Sequence, residues 1–463
     1  MDMKELSGIL RSCGIVGAGG AGFPTYAKLD ARAKTIILNC AECEPLLKLH
    51  RQLLEKNAWD IMSAFQLIGD AVGADELVIG IKKAYKKTVE ALDSYIQEFP
   101  KMRIGLLDEV YPAGDEVVLI YEVTGKVVRP GGLPIESGVA VFNVETVYNV
   151  FKAVNEGHPV TDKLISVVGE VEHPVTVRVP LGCTVDDVVA LAGSVTTKDP
   201  VYVLGGPMMG NLASGSQPIT KTTNAILVLP RAHTVVQKKC SKASIDLNRA
   251  AASCCQCTMC TDLCPRNLLG HPIEPHKFML AATCKDVQKT EVFLDTMFCS
   301  SCGLCEMYSC TQSLSPRTLI TEYKGGLRKA GVPVPKDVLP EPVGMERSYR
   351  KVPMERLMAR LGLTKYNVSA PMDNHCVSMD CVRILLSQHI GAPAIAVVKA
   401  GDVVEKGHMI AKPANGLSVG IHASVDGRVR QVTDKFIIID AVPDGGNLVA
   451  PAAEDDTERT KTV

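Results

Sequence analysis

The sequence lacks an excess of charge, a long apolar run and a secretory signal, and it has few aromatic residues. Its 463 residues include one Trp, and aromatic residues make up 5% of the chain. Lys plus Arg number 50 and Asp plus Glu number 51, which argues against a nucleic-acid-binding protein because such proteins usually carry a basic excess. No apolar stretch reaches the roughly 18 residues of a membrane helix, and the N-terminus has no apolar signal region or cleavage site. We therefore expect no nucleic-acid partner, no transmembrane segment and a cytoplasmic location.

Cysteine is the residue in excess, with 17 in the chain. A disulfide scaffold would be short and secreted, whereas this chain has the length of roughly three or four domains. Its apolar share of 46% and charged share of 22% are ordinary for a globular protein with a core. So many cysteines in such a chain indicate metal or redox chemistry.

The hydrophobic pattern changes along the chain and predicts several domains. Thr35–Asn39, Leu77–Ile81 and Val139–Asn143 are short apolar runs typical of buried parallel strands, and helical patterns alternate with them. The fold class that we predict is multidomain α/β. The predicted segments are an α/β domain at 1–157, a small α+β domain at 158–235, a cysteine-rich domain at 240–325, a linker at 326–385, an all-β domain at 386–450 and a disordered tail at 451–463.

Eight of the 17 cysteines form two runs that begin 45 residues apart and look like an internal repeat. The runs are Cys254-x2-Cys257-x2-Cys260-x3-Cys264-Pro265 and Cys299-x2-Cys302-x2-Cys305-x4-Cys310. In two-cluster ferredoxins, three cysteines at this spacing hold one [4Fe–4S] cluster and the fourth ligates the other cluster. Carried over to this chain, one cluster would use Cys254, Cys257, Cys260 and Cys310, and the other Cys299, Cys302, Cys305 and Cys264.

A pair of structural zinc sites is the alternative interpretation of these runs, since zinc sites also use CxxC pairs. Zinc sites usually have two pairs well apart, whereas here four cysteines are crowded together with a Pro after the first run. The second run departs from the ferredoxin pattern, because its last spacing is x4 and Thr311 stands where Pro is usual. We interpret Cys255 as a spare thiol inside the first run.

A glycine-rich loop near the N-terminus has the spacing G-x-G-x-x-G at Gly17, Gly19 and Gly22. Glycines let a backbone approach phosphate groups closely and present N–H groups to them, although a plain glycine-rich turn would have the same sequence. Three polar segments lie near predicted strand ends, where α/β sheets bind ligands. These segments are NCAECEP at 39–45, YPAGDE at 111–116 and NVET at 143–146.

These strings together resemble the flavin- and NADH-binding domain of the Rnf complex C subunit and, more distantly, the flavoprotein subunit of respiratory complex I. GGPMMG at 205–210 is similar to another Rnf string. The resemblance implies FMN, NADH and two [4Fe–4S] clusters as cofactors, with a β-grasp domain at 158–235 and a ferredoxin-like domain at 240–325. It implies Glu44 and Phe23 as catalytic residues, with Phe23 stacking near a ring of the dinucleotide. The implied cofactor-binding residues are Gly17, Gly19, Gly20, Gly22, Lys28, Asn39, Glu42, Tyr111, Gly114, Glu116, Asn143 and Thr146.

Two positions depart from the complex I pattern: Ala41 stands where that relative has Asp, and Phe142 where it has Asn. The C-terminal module resembles the barrel-sandwich hybrid of lipoyl and biotinyl carriers, which also occurs in the Rnf C subunit. A carrier needs a Lys at the hairpin tip, but the tip near 415–417 reads Asn-Gly-Leu. We therefore interpret the module as a docking or structural element. Its C-terminal position is similar to that in cobalamin reductases of propanediol-utilisation microcompartments.

The resemblance implies an NADH-oxidising iron–sulfur flavoprotein that reduces a corrinoid inside a bacterial microcompartment. The expected partners are NADH, a corrinoid or a corrinoid adenosyltransferase, and a microcompartment shell protein. Two alternatives remain open at this point. One is an Rnf-type protein that delivers electrons to ferredoxin or a membrane partner, and the other is a non-catalytic electron carrier associated with a shell.

Overall fold

A parallel sheet forms the centre of the N-terminal domain. The computed structural model describes residues 1–442. The elements of this domain are α1 (Met3–Ser12), β1 (Thr35–Cys40), α2 (Leu49–Lys56), α3 (Ala58–Val72), β2 (Glu76–Lys82), α4 (Lys86–Asp93), β3 (Met102–Leu107), β4 (Val110–Tyr111), α5 (Glu116–Thr124), β5 (Val139–Asn143) and α6 (Val144–Asn155). Four strands pair in the order β3-β2-β1-β5, all parallel. The predicted buried strands at the start of the chain are thus confirmed.

Burial on both faces explains why these strands are apolar along their length. In β1, all residues but Asn39 are buried, and α3 and α6 pack on one another beside the sheet. The carboxyl ends of β1 and β5 lie side by side, with Asn39 opposite Asn143 in the register. The segments that follow these two strands therefore share one edge of the sheet, where α/β folds bind ligands.

A mixed sheet forms the second domain. Its elements are β6 (Asp162–Gly169), β7 (Val175–Pro180), α7 (Val185–Ala190), β8 (Pro200–Leu204), β9 (Asn211–Ala213), β10 (Ala225–Pro230) and α8 (Thr234–Lys239). The strand order is β12-β7-β6-β10-β8-β9, in which the edge strand β12 (Met372–Cys376) comes from a distant part of the chain. The strands β6 and β7 form an antiparallel pair, joined by the segment that contains His173 and Pro174.

Short helices surround the two cysteine runs. They are α9 (Ala243–Ser253), α10 (Met259–Asp262), α11 (Pro275–Cys284), α12 (Thr290–Leu294) and α13 (Pro316–Lys329). A small apolar core, which includes Phe278, Leu314 and Ile320, joins α9, α11 and α13. No helix within residues 1–442 is both long and apolar enough to cross a bilayer.

The segment predicted as a linker, residues 326–385, differs from that prediction. It contains α14 (Arg347–Arg350), β11 (Val352–Pro353), α15 (Met354–Leu361), β12 (Met372–Cys376) and β13 (Cys381–Leu385). These strands pair with β4 of the first domain, β7 of the second and β19 (Phe436–Ala441) of the C-terminal domain, respectively. The segment therefore ties three domains together, and its polar and proline-rich sequence concealed those long-range pairings.

Two small antiparallel sheets form the C-terminal domain. Its further strands are β14 (Ile395–Ala396), β15 (Val403–Val404), β16 (Met409–Lys412), β17 (Ile421–His422), β18 (Gly427–Val432) and β19 (Phe436–Ala441). The sheets have the orders β13-β19-β18-β15 and β14-β16-β17 and enclose one apolar core. The all-β prediction agrees with this architecture, although the domain begins earlier than 386. The predicted tail at 451–463 lies outside the described residues.

Candidate functional site

The eight cysteines of the two runs line two separate cavities. We call them the inner cavity and the outer cavity. The outer cavity is lined by Cys254, Cys257, Cys260 and Cys310. The inner cavity is lined by Cys264, Cys299, Cys302 and Cys305. Each cavity thus combines three cysteines of one run with the last cysteine of the other, which is the grouping that the ferredoxin pattern predicts.

The spread of the thiols favours clusters over single metal ions. Within residues 1–442, no three His, Cys, Asp or Glu side chains lie close enough together to hold one metal ion. A tetrahedral zinc would bring its sulfurs to about 3.8 Å from each other, because each Zn–S bond is about 2.3 Å. Four thiols spaced around an open volume instead fit a cuboidal cluster of four irons.

The backbone around both cavities bends toward the sulfur atoms. Gln256, Thr258 and Ser301 have positive φ values of 53°, 64° and 59°, which are uncommon for residues other than Gly. The N–H of Ser301 donates to Cys299 Sγ at 3.3 Å, and the N–H of Leu314 donates to Cys310 Sγ at 3.3 Å. Such N–H···S bonds orient thiolates and tune the potential of a cluster. The donor set and its surroundings therefore fit two [4Fe–4S] clusters.

The inner cavity contacts the N-terminal domain directly. The Tyr111 hydroxyl donates to the carbonyl oxygen of Cys302 at 2.5 Å. Arg266, which lines the inner cavity, forms an ion pair of 2.9 Å with Asp115. Asp115 also caps α5 by accepting bonds from Val117 and Val118. The segment YPAGDE at 111–116 is therefore held against the inner cavity by buried contacts.

Glu44 connects the first domain to the GGPMMG loop of the second. Its carboxylate accepts hydrogen bonds from the N–H of Met208 at 2.9 Å and of Met209 at 2.8 Å. Burial raises the pKa of Glu44, although these two bonds oppose the shift. A Cβ on Gly303, beside Cys302, would lie 3.4 Å from the carbonyl oxygen of Met208. The loop thus lies between Glu44 and the inner cavity.

The glycine loop is fixed by hydrogen bonds at Ala18 and is exposed to solvent at Gly19 and Gly20. The N–H of Ala18 donates to Thr146 Oγ1 at 2.9 Å, and Lys163 Nζ donates to the carbonyl oxygen of Ala18 at 3.1 Å. Gly19 and Gly20 are exposed, and a Cβ on Gly20 would meet no atom within 4 Å. Their backbone is therefore free to approach a ligand.

Phe23 closes the loop through its backbone. Its carbonyl oxygen accepts a hydrogen bond of 2.9 Å from the N–H of Gly17, and its residue is half-buried. The stacking of Phe23 on a ring of the dinucleotide stays a prediction. Gly22 has a positive φ of 70°, and a Cβ there would meet Thr222 Cγ2 at 2.9 Å and the carbonyl oxygen of Gln388 at 3.1 Å. Glycine is therefore required where this loop meets two other domains.

Charged side chains lie buried beneath the glycine loop. Lys163, Glu145 and His50 form a cluster in which Lys163 Nζ bonds Glu145 and His50 Nε2 lies 3.8 Å from Glu145 Oε2. Burial alone would raise the pKa of Glu145, but the charge of Lys163 and the adjacent His50 lower it to about 2. Asn143 Nδ2 lies 3.4 Å from His50 Nδ1. Glu145 lies in the NVET segment at 143–146, whereas sequence reasoning missed Lys163 and His50, which come from other segments and belong to no motif.

The remaining predicted cofactor residues form contacts among themselves at the same sheet edge. Lys28 Nζ donates to the carbonyl oxygen of Val141 at 3.0 Å and lies 3.4 Å from Glu116 Oε1. Asn39 Nδ2 donates to the carbonyl oxygen of Gly114 at 3.0 Å, and a Cβ on Gly114 would lie 3.5 Å from Asn39 Oδ1. Their roles toward a cofactor stay predictions.

Glu42 lies apart from the open side of this edge. Its side chain is 2% exposed and accepts hydrogen bonds from the N–H of His50 at 2.7 Å and from Arg51 Nε at 2.9 Å. The carboxylate therefore caps the start of α2 and neutralises Arg51. Glu42 has a φ of 36°, an uncommon value for this residue type. A direct contact with a bound ligand stays a prediction for Glu42.

Lys221 fixes the C-terminal domain beside the glycine loop. Its Nζ donates to the carbonyl oxygens of Gly14 at 2.7 Å and Gly420 at 3.1 Å, so that three domains meet at one side chain. Burial lowers the pKa of Lys221 to about 7. The N–H of Ile390 donates to the carbonyl oxygen of Gly22 at 3.3 Å. The contacts support the interpretation of this domain as a docking or structural element.

Four family models match consecutive parts of the chain. The Nuo51 FMN-binding domain matches residues 10–152, and the SLBB domain matches residues 164–212. The 4Fe-4S dicluster domain matches residues 253–315, and the RnfC barrel-sandwich hybrid domain matches residues 369–442. These matches confirm the predicted multidomain α/β architecture and the expected FMN and [4Fe–4S] cofactors.

Known proteins resemble the chain over different lengths. Cobalamin reductase PduS of Salmonella typhimurium strain LT2 is 39% identical over 441 residues, which cover 95% of this chain and 97% of the relative. The C subunit of the ion-translocating oxidoreductase complex of Erwinia tasmaniensis is 31% identical over 58% of this chain and 33% of its own length. A crystal structure of an NAD+-reducing [NiFe]-hydrogenase in the H2-reduced state aligns with a TM-score of 0.49 and 22% identity, over 73% of this chain and 64% of that one. The chain therefore belongs to the family of cobalamin reductase PduS and is an oxidoreductase with an FMN-binding domain and a 4Fe–4S dicluster domain.

Proposed function

We propose that this protein oxidises NADH at its N-terminal domain and delivers the electrons singly to a corrinoid from the outer cavity. Its full-length similarity to cobalamin reductase PduS supports the corrinoid as the acceptor. The observation that carries the proposal is the placement of the two thiol cavities. One is held against the flavin-domain segment at 111–116, and the other opens toward the surface of the cysteine-rich domain.

The chemistry of the cofactors sets what the chain must do. FMN accepts a hydride and releases electrons one at a time, and [4Fe–4S] clusters pass single electrons. The protein's task is to hold these groups at fixed separations. Tyr111, Asp115 and Arg266 do so by fixing the segment at 111–116 to the inner cavity. Glu44 does so through the two N–H groups of the GGPMMG loop.

The open part of the glycine loop is the proposed phosphate-binding surface. Gly19 and Gly20 have an exposed backbone, while Thr146 and Lys163 form hydrogen bonds with the backbone of Ala18. The nearby Lys28 is half-exposed and supplies a positive charge at the same sheet edge. Backbone N–H groups and a lysine are the groups with which loops of this type bind phosphate.

The outer cavity is the proposed exit for electrons. Cys257 is exposed, and so is the neighbouring Cys255, whereas Cys302 and Cys305 of the inner cavity are each 9% exposed. Electron transfer to a bulky corrinoid needs a cluster near the surface. We further propose that the protein works inside a microcompartment, with a shell protein and a corrinoid adenosyltransferase as partners; the relative that aligns with 95% of this chain, PduS, is a cobalamin reductase.

An anaerobic assay with a panel of acceptors tests the proposal. The purified protein should contain about eight irons, as expected for two [4Fe–4S] clusters, together with FMN. NADH should bleach its visible spectrum, and cob(III)alamin should restore it faster than ferredoxin or quinone. Faster reoxidation by ferredoxin or quinone would favour an Rnf-type role. Iron without FMN, and no response to NADH, would instead indicate a non-catalytic carrier.

A further inference from the structure

Two amide side chains from different domains converge on the exposed part of the glycine loop. A Cβ placed on Gly19 would lie 3.0 Å from Asn143 Nδ2 and 3.2 Å from Asn224 Nδ2. Asn143 ends β5 of the first domain, and Asn224 directly precedes β10 of the second. The family model for FMN binding, at residues 10–152, includes Gly19 and Asn143 but not Asn224. The second domain thus places a polar side chain at a loop attributed to the first.

The backbone of Asn224 is held rigidly in this position. Its carbonyl oxygen accepts a hydrogen bond of 3.0 Å from the N–H of Ser166 on β6. The preceding Thr220 and Thr223 bond each other through their hydroxyls at 3.2 Å, and Lys221 between them bonds Gly14 of the first domain. Asn224 is therefore preorganised against the glycine loop before any ligand binds.

The side chain of Asn224 has an unsatisfied acceptor. Its Oδ1 is buried and has no hydrogen-bond partner among the described residues. A buried polar atom without a partner is rare in proteins and costs free energy, so it calls for an explanation. Asn143 differs, because its Oδ1 accepts the N–H of Glu145 and thereby caps α6. Of the two amides, Asn224 is the one with an acceptor left for a ligand.

We propose that Asn224 accepts a hydrogen bond from a donor group of the bound flavin nucleotide, so that the flavin site spans the first and second domains. Oxidised FMN has few donors: the ring N3–H and the hydroxyls of the ribityl chain. The amide atom of Asn224 that faces Gly19 is Nδ2, so a half-turn of the amide about χ2 brings the unpaired Oδ1 to the loop, where either donor can satisfy it. The proposal rests on the proposed function only in so far as FMN binds at the glycine loop, and it does not depend on the identity of the electron acceptor.

FMN affinity, measured without turnover, tests this assignment. Flavin is removed from the full-length protein under anaerobic conditions, and FMN is titrated back while its fluorescence quenching is followed. Asn224→Ala should weaken FMN binding about tenfold, because truncation leaves a donor of the ligand unpaired. The matched control is Asn415→Ala, an exposed asparagine on the C-terminal domain, and its affinity should equal that of the wild type. Wild-type affinity in Asn224→Ala would overturn the proposal.

Thermal unfolding separates a ligand role from a purely structural one. Without FMN, Asn224→Ala should melt at the wild-type temperature and keep its iron; with FMN, its gain in melting temperature should be smaller, because linkage ties that gain to affinity. A lower melting temperature without FMN, combined with an unchanged gain on adding FMN, would assign Asn224 to packing alone and overturn the proposal.

Analogues of the cofactor distinguish the two donors. If the ring N3–H is the partner, 3-methyl-FMN should bind wild type and Asn224→Ala equally, whereas an analogue without ribityl hydroxyls should still discriminate between them. The reverse pattern would assign the ribityl chain. Either pattern supports the proposal. It would be contradicted if Asn224→Ala bound FMN and both analogues about tenfold more weakly than the wild type did. Failure of wild-type protein to bind FMN at all would instead remove the proposed function.

Discussion

The inner and outer cavities share their chemistry but differ in their surroundings. Each is lined by four cysteines, drawn three and one from two runs of nearly the same spacing. At the inner cavity, Tyr111 donates a hydrogen bond to the carbonyl oxygen of Cys302, and Asp115 forms an ion pair with Arg266. Two cysteines of this cavity are buried. The residues that line both cavities come from the cysteine-rich domain, but Cys257 of the outer cavity is exposed.

Because of this difference, the two copies of the repeated cysteine motif are not equivalent. Burial, hydrogen bonds to sulfur and solvent access set the potential and reactivity of a cluster as much as its ligands do. An internal repeat in a uniform environment would produce two equivalent clusters. Here the N-terminal domain contacts the inner cavity through Tyr111 and Asp115, as the proposed entry of electrons at that cavity requires.

Cys264→Ala should have the largest effect on this comparison. Cys264 belongs to the first run but lines the inner cavity, so its loss should remove the inner cluster and lower the iron content from about eight to about four per chain. Reduction of the corrinoid by NADH should fall by at least about a hundredfold, because the entry point is lost. The matched variant is Cys302→Ala, which should share this phenotype; a match with Cys257→Ala instead would show that each run holds its own cluster.

Cys310→Ala should remove the exit and preserve the entry. Cys310 belongs to the second run but lines the outer cavity. We expect iron to fall by about half and corrinoid reduction to be lost, while NADH still bleaches the flavin and the inner cluster at the wild-type rate. Stopped-flow absorbance measures both steps. Equal damage to flavin reduction would mean that the cavities do not act in series.

Glu44→Gln should weaken the connection between flavin domain and inner cavity without removing a cluster. Glutamine keeps one acceptor, so its NH2 group would face one of the two N–H groups of Met208 and Met209. We expect electron transfer from flavin to cluster to slow about tenfold, with iron and FMN content unchanged. The control is the exposed Glu98→Gln, for which no change is expected. An unchanged rate in Glu44→Gln would remove Glu44 from the site.

Cys255→Ser should have the smallest effect, although Cys255 lines the outer cavity beside its four predicted ligands. The sequence pattern makes Cys255 a spare thiol, and the side chain is exposed. Iron content and corrinoid reduction should stay within about twofold of the wild type, as for a surface substitution away from special features. A loss of about four irons would show that Cys255 is a ligand.

The sequence predicted the parts of the site that lie within one motif. The cysteine spacings predicted which four thiols meet in each cavity, because two-cluster ferredoxins exchange their fourth ligands in a regular way. The apolar strands predicted the sheet edge on which Asn39 and Asn143 lie, since buried parallel strands have a recognisable pattern.

Contacts between distant segments were beyond sequence reasoning. Glu44 was expected at a ligand, but its hydrogen-bond partners Met208 and Met209 are 164 and 165 residues away. Lys163 and Asn224 reach the glycine loop from the second domain, and no motif marks either one. The predicted linker failed for the same reason, since its strands pair with partners in three other domains.

Single-turnover reduction by NADH, followed by freeze-quench EPR spectroscopy, shows whether the two clusters are reduced in series, because it reports each cluster separately. The comparison is between Cys310→Ala and Cys264→Ala, each with its remaining cluster verified by iron content. We predict that the inner cluster of Cys310→Ala is reduced at the wild-type rate, whereas the outer cluster of Cys264→Ala stays oxidised. Rapid reduction of the outer cluster in Cys264→Ala would contradict this prediction.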